Sequence, residues 1–174
     1  MRKSSNLIGC VACIGFLMSW AASTGLAADK MNYSGKYSLK SRNNASGESE
    51  STLNVRQNED SIEVTRLEQG KSTTNRYPLN GTEGDYMSPG GVSGKGKGQL
   101  AGKNLVLESF IVTRLQPSAP PVRIHIKEQW QLSADFKTLT IKSDVDFPDF
   151  PAEISGIAAA YGPGTQKYTR TENP

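Results

Sequence analysis

The sequence predicts an all-β domain: an antiparallel up-and-down meander of eight or nine strands closing into a barrel, behind a cleaved N-terminal signal peptide. Three observations carry that prediction. Apolar and polar residues alternate with period two in segment after segment from Tyr33 to Arg170, the mark of strands with one buried face. The 174 residues include 17 glycines and 9 prolines spread along the chain, which favours frequent turns over long helices. No helical period longer than a turn or two interrupts the alternation. Sequential strands with short connections then close most economically on themselves, because closure removes the exposed edges.

The first segment reads as an export signal. Arg2 and Lys3 form a positive n-region, and Leu7 to Trp20 is an apolar stretch of h-region length. Gly25-Leu26-Ala27 offers small residues where a signal peptidase reads. Cleavage after Ala27 or Ala28 removes both cysteines, Cys10 and Cys13. The remaining domain, residues 29–174, then has no disulfide, no thiol catalysis and no cysteine-ligated metal, and its expected destination is the periplasm or the medium. Leu7-Ile8-Gly9-Cys10 has the look of a lipobox, but the apolar run lies mostly after Cys10. A retained anchor is the other alternative; the polarity of Ser19 to Thr24 and the small-residue end favour cleavage. No later segment is long and apolar enough to span, so a soluble mature chain is expected. Loss of Arg2 and Lys3 also lowers the formal charge from +3 to +1, which removes the case for a nucleic-acid partner.

Taken in order, the strands begin with Tyr33, Gly35, Tyr37 and Leu39 alternating with polar residues. Leu53 and Val55, a turn at Asn58-Glu59-Asp60, and Ile62 with Val64 make a hairpin. Tyr77 and Leu79 form a short strand that Gly81 ends, with Pro78 marking an edge or bulge. Ser93 to Leu100 pairs through Ala101-Gly102-Lys103-Asn104 with Leu105 to Thr113, whose near-continuous apolar character suggests cover on both sides or passage through the densest part of the core. Val122, Ile124, Ile126, Glu128, Trp130 and Leu132 share one face of the longest strand. Ser133 to Lys137 turns the chain into Leu139 and Ile141, and Gln166 to Thr171 is the last strand. Gly94, Gly96 and Gly98 alternate with Lys95, Lys97 and Gln99. No phosphate loop has that spacing; a strongly bent strand is expected, with a backbone or a bulky ring packed where side chains are missing, or an anion held by the lysine pair.

Ser34-Gly35-Lys36-Tyr37 on the first strand, with Tyr168-Thr169-Arg170 on the last, resembles the lipocalin arrangement. There a G-x-W packs at the closed end of the barrel beneath an arginine; here Tyr37 stands where tryptophan is usual. The wider pattern is similar to a group of small secreted bacterial β-proteins of unassigned function, through Leu53-x-Val55-x-Gln57, Leu105-Val106-Leu107 and Trp130 to Asp135. The resemblance implies a lipocalin-like β-barrel closed by Gly35, Tyr37 and Arg170, and it implies no reaction.

Few residues point to chemistry. His125, the only histidine, lies between Arg123 and Lys127 with no second imidazole and no marked nucleophile, and no G-x-S-x-G occurs. Glu128 falls among apolar neighbours and must be paired, protonated or wet. Its three readings are a structural pair with Arg170 or Arg114, a ligand-orienting group, and a catalytic acid working with Asp135 or Arg123. Asp144, Asp146, Asp149 and Glu153 lie in a long irregular segment, 144–164, without the spacing of a calcium loop. The aromatics of that segment, Phe147, Phe150 and Tyr161, need something to pack on: the barrel mouth as a lid, a partner, or the barrel wall.

The expected function is that of an exported, non-catalytic binding protein. Tyr77, Phe110, Ile124, Ile126, Glu128 and Trp130 are the candidate contacts for a small apolar or amphipathic ligand. The alternative is an envelope interaction protein with a filled barrel, contacting a partner through residues 147–161. Neither requires a cofactor or a metal.

Overall fold

A computed structural model of the chain describes residues 31–43, 47–114, 118, 120–149 and 164–172. The predicted signal segment, and Phe150 and Tyr161, lie outside the described residues. Ten strands follow one another: β1 (Gly35–Asn43), β2 (Gly47–Gln57), β3 (Ser61–Glu68), β4 (Lys71–Pro78), β5 (Gly84–Met87), β6 (Ser93–Ala101), β7 (Asn104–Thr113), β8 (Val122–Leu132), β9 (Thr138–Asp146) and β10 (Gly164–Glu172). They form one antiparallel sheet in the order β4-β3-β2-β1-β10-β9-β8-β7-β6-β5. The first and last strands are neighbours, so the meander curls into a nearly closed barrel whose two edges are β4 and β5.

Those edges share no ladder, yet they are joined. The Met87 amide donates to Asn75 Oδ1 at 2.7 Å, and Asn75 Nδ2 donates to the Met87 carbonyl at 2.9 Å. One buried side-chain amide thus makes the two bonds that a strand residue would otherwise make. The glycine row of β6 serves the same closure. A Cβ on Gly96 would lie 3.0 Å from the Tyr77 ring, and one on Gly98 would lie 2.9 Å from Leu79 Cδ2. Residues of and just after β4 therefore pack on bare β6 backbone, as the bulky-ring reading expects. The lysines between are engaged elsewhere, Lys95 with Asp85 at 2.7 Å and Lys97 with Glu108 at 3.3 Å.

One end of the barrel is filled. Tyr33, Tyr37, Leu53, Trp130, Leu105 and Leu139 are fully buried there. The Tyr33 ring meets Trp130 edge-on at 6.4 Å, and its hydroxyl lies 2.7 Å from the Lys103 carbonyl and 3.0 Å from that of Trp130. Across the β1–β10 join Tyr37 stands opposite Arg170. The guanidinium carbon is 5.1 Å from the tyrosine ring centre. Arg170 Nη2 also donates to Tyr37 Oη at 2.6 Å and to the Ser34 carbonyl at 3.0 Å. Gly35 has φ +146°, and a Cβ there would lie 3.1 Å from Arg170 Nε. Both the backbone angle and the arginine above it call for glycine.

Two expectations need correction. Leu105 to Thr113 is not covered on both sides: Leu105, Leu107, Ser109 and Ile111 are buried, while Val112 is 60% exposed. Asp144 to Asp146 belong to β9 and Gly164 to β10, so both ends of the segment expected to be irregular are strand.

Candidate functional site

The half of the barrel away from the filled end is open and holds a cavity of about 620 Å³. Strand register builds its wall. Leu39 of β1 stands opposite Ser51 of β2, Ser51 opposite Glu68 of β3, and Arg66 of β3 opposite Thr73 of β4. Gln166 of β10 completes this side. The inward set of β3 is Ile62, Val64, Arg66 and Glu68, so the same alternation that buries two aliphatics carries two charges into the interior.

Arg66 does not stand alone. Its Nη2 donates to Glu128 Oε2 at 2.6 Å, with side chains 13% and 15% exposed, and Trp130 Nε1 donates to the same oxygen at 2.9 Å. The guanidinium carbon sits 5.8 Å from the Trp130 ring centre. Burial is the largest single influence on Arg66 and would lower its pKa, but the Glu128 carboxylate together with the hydroxyls of Tyr77, Tyr168 and Tyr86 holds the guanidinium above its ordinary value. Around this pair the hydroxyls of Tyr77, Tyr86 and Tyr168 are all pushed up, chiefly by burial, so at neutral pH they are uncharged donors. Ser51 Oγ is buried beside the Tyr168 hydroxyl.

Of the residues singled out in the sequence, Tyr77, Ile124, Ile126, Glu128 and Trp130 face the interior, but none of them lines the cavity; Glu128 and Trp130 stand behind Arg66. Phe110 does not. The parity of β7 that buries Leu107 and Ser109 turns Phe110 outward, where it stacks on His125 at 4.5 Å with the planes 4° apart. Glu128 is paired with neither suggested arginine: Arg170 closes the barrel end, Arg114 is exposed, and the partner is Arg66. The acid–base combinations with Asp135 or Arg123 do not form. Asp135 accepts from Ser133 Oγ at 2.6 Å in the β8–β9 turn, and Arg123 holds Asp149 on the outside. Phe147 is half-buried. The residues that line the cavity were all missed, Arg66, Glu68, Leu39, Ser51, Thr73 and Gln166 among them; two further steps of the Ile62–Val64 alternation lead to Arg66 and Glu68.

Neither a protein-family model nor a curated protein matches the sequence. Solved structures do match the fold. A REP1-NXSQ fatty acid transporter superposes with a TM-score of 0.53 at 14% identity, over 81% of this chain and 97% of that one. A secretory abundant heat soluble protein from Ramazzottius varieornatus gives 0.54 at 15% identity, over 83% and 98%. Zebrafish ileal bile acid-binding protein complexed with cholic acid gives 0.50 at 15% identity, over 81% and 98%. The chain thus has the fold of the fatty-acid-binding and lipocalin-like β-barrels.

Proposed function

We propose that this chain is an exported, non-catalytic carrier that holds one small amphipathic molecule in the open half of its barrel. The carrying observation is the division of the interior. One end is packed solid around Trp130, Tyr33 and Tyr37, while the other keeps about 620 Å³ of space, within the range of small-molecule sites. Side chains there mix an aliphatic group, Leu39, with hydroxyl, amide and paired charged groups. That mixture suits a molecule with an apolar body and a polar end. The fatty acid transporter and the bile acid-binding protein that share the fold are consistent with this use. The filled-barrel alternative is disfavoured by the same cavity.

Trp130 supplies the assay, because its indole N–H is bound to Glu128 beside the cavity. Protein purified from its own host should carry a small molecule in native mass spectrometry, and delipidated protein titrated with lipids should change its tryptophan emission saturably. If nothing co-purifies and no lipid changes the emission, the carrier reading fails.

A further inference from the structure

The charges inside the barrel decide which amphiphile fits. We infer, resting on the carrier reading, that the ligand is an uncharged amphiphile bearing hydroxyl or amide groups, and that the Arg66–Glu128 pair selects it against its carboxylate counterpart. An unpaired interior guanidinium would be a ready partner for a carboxylate. Here that role is already filled, by a carboxylate of the chain itself at 2.6 Å. Trp130 Nε1 holds the same oxygen, so Glu128 is tethered on two sides.

A ligand carboxylate entering beside Arg66 would face Glu128 a few ångströms behind it in an interior that screens poorly. It would also lose its water. Three further charges line the cavity, Glu68, Lys71 and Lys167. Lys71 stands opposite Glu68 in the β3–β4 hairpin and offsets it, and both lysines are exposed, so water screens them from the buried ground beside Arg66 and Glu128.

What the wall offers instead is neutral hydrogen-bonding capacity. Ser51 Oγ is a buried hydroxyl beside that of Tyr168. Thr73 and Gln166 line the same space, and the neighbouring tyrosine hydroxyls stay protonated well beyond neutral pH. These groups satisfy alcohols, esters and amides and do nothing special for an anion.

The test is a matched pair of ligands, monoolein and oleate, titrated below their aggregation thresholds into the full mature chain and followed by Trp130 emission and calorimetry. The parent should bind monoolein at least about tenfold more tightly than oleate. Glu128→Gln releases the guanidinium from its counter-charge, and should raise oleate affinity by about tenfold or more while monoolein changes less. Equal affinities in the parent, a preference for oleate, or tighter binding of oleylamine than of monoolein would each overturn the inference while leaving the carrier reading intact. If neither ligand binds, the carrier reading falls and this one with it. Should Glu128→Gln not fold, the ratio measured on the parent decides alone.

Discussion

At the scale of single residues, Arg170 concentrates the most structure in one side chain. Its guanidinium lies by the Tyr37 ring, donates to the Tyr37 hydroxyl, and reaches the Ser34 carbonyl, while Tyr37 Oη donates on to the Tyr33 carbonyl at 2.8 Å. Arg170→Ala leaves the buried Tyr37 hydroxyl with one partner fewer and opens space above Gly35. A loss of about 2 kcal/mol is expected, seen as a melting temperature lower by several degrees in a domain of this size. Arg170→Lys should recover only part, since an ammonium cannot lie flat by the ring and still reach Ser34. Melting of Arg170→Ala at the parent temperature would show that the strand join is held by packing alone. This contact was legible in the sequence, because Gly35, Tyr37 and Arg170 sit at positions whose roles depend on one another. The Arg66–Glu128 pair was half legible: Glu128 stood out among apolar neighbours, but its partner lies 62 residues away, a distance across which alternation conveys no pairing.

At the scale of elements, the weak place is the seam between β4 and β5. Nine of the ten strands correspond to strands expected from the sequence. β5 does not, for a physical reason: Gly84–Met87 is four residues long, and Tyr86 is its one large inward side chain. Such a strand is recruited by its neighbours rather than by its own pattern. Its partner β6 is likewise recognisable through glycines and not through apolar residues, because the inward volume at Gly96 and Gly98 is supplied by Tyr77 and Leu79. The parity error at Phe110 arose similarly, since β7 is apolar on both faces and only tertiary packing shows which face is inside. Asn75 tests the seam directly. Asn75→Ala strips partners from both the amide and the carbonyl of Met87, with an expected cost of about 1–3 kcal/mol. The loss should be local before it is global: amide exchange should accelerate at Met87 and in β5 well ahead of the β1–β10 join. Uniform acceleration across the barrel would show that the seam does not open by itself.

At the scale of the whole molecule, the barrel is a filled half supporting an open half, and five interior tyrosines tie the two together. Tyr33, Tyr37, Tyr77, Tyr86 and Tyr168 all have hydroxyls raised by burial, Tyr33 up to about 12 from an ordinary value of 10.0. The sign of the consequence follows from linkage. The unfolded chain gives up these protons near pH 10 and the folded chain holds them longer, so their contribution is fully present below pH 10 and is lost as pH rises toward the folded values. At about 1.4 kcal/mol per pH unit, Tyr33 alone withdraws on the order of 2–3 kcal/mol between pH 10 and 12, and the other four add to it. That is a large share of the stability of an ordinary domain. Unfolding by urea should therefore need steadily less denaturant above pH 10, with little dependence on these groups from pH 7 to 9. Tyrosinate absorbance should rise together with the loss of the β-sheet circular dichroism signal, because the buried hydroxyls ionise when the barrel opens. If the tyrosines titrate near pH 10 while the sheet signal stays intact, the interior is wetter than the packing around Tyr33, Tyr77 and Trp130 implies, and the division into filled and open halves is wrong.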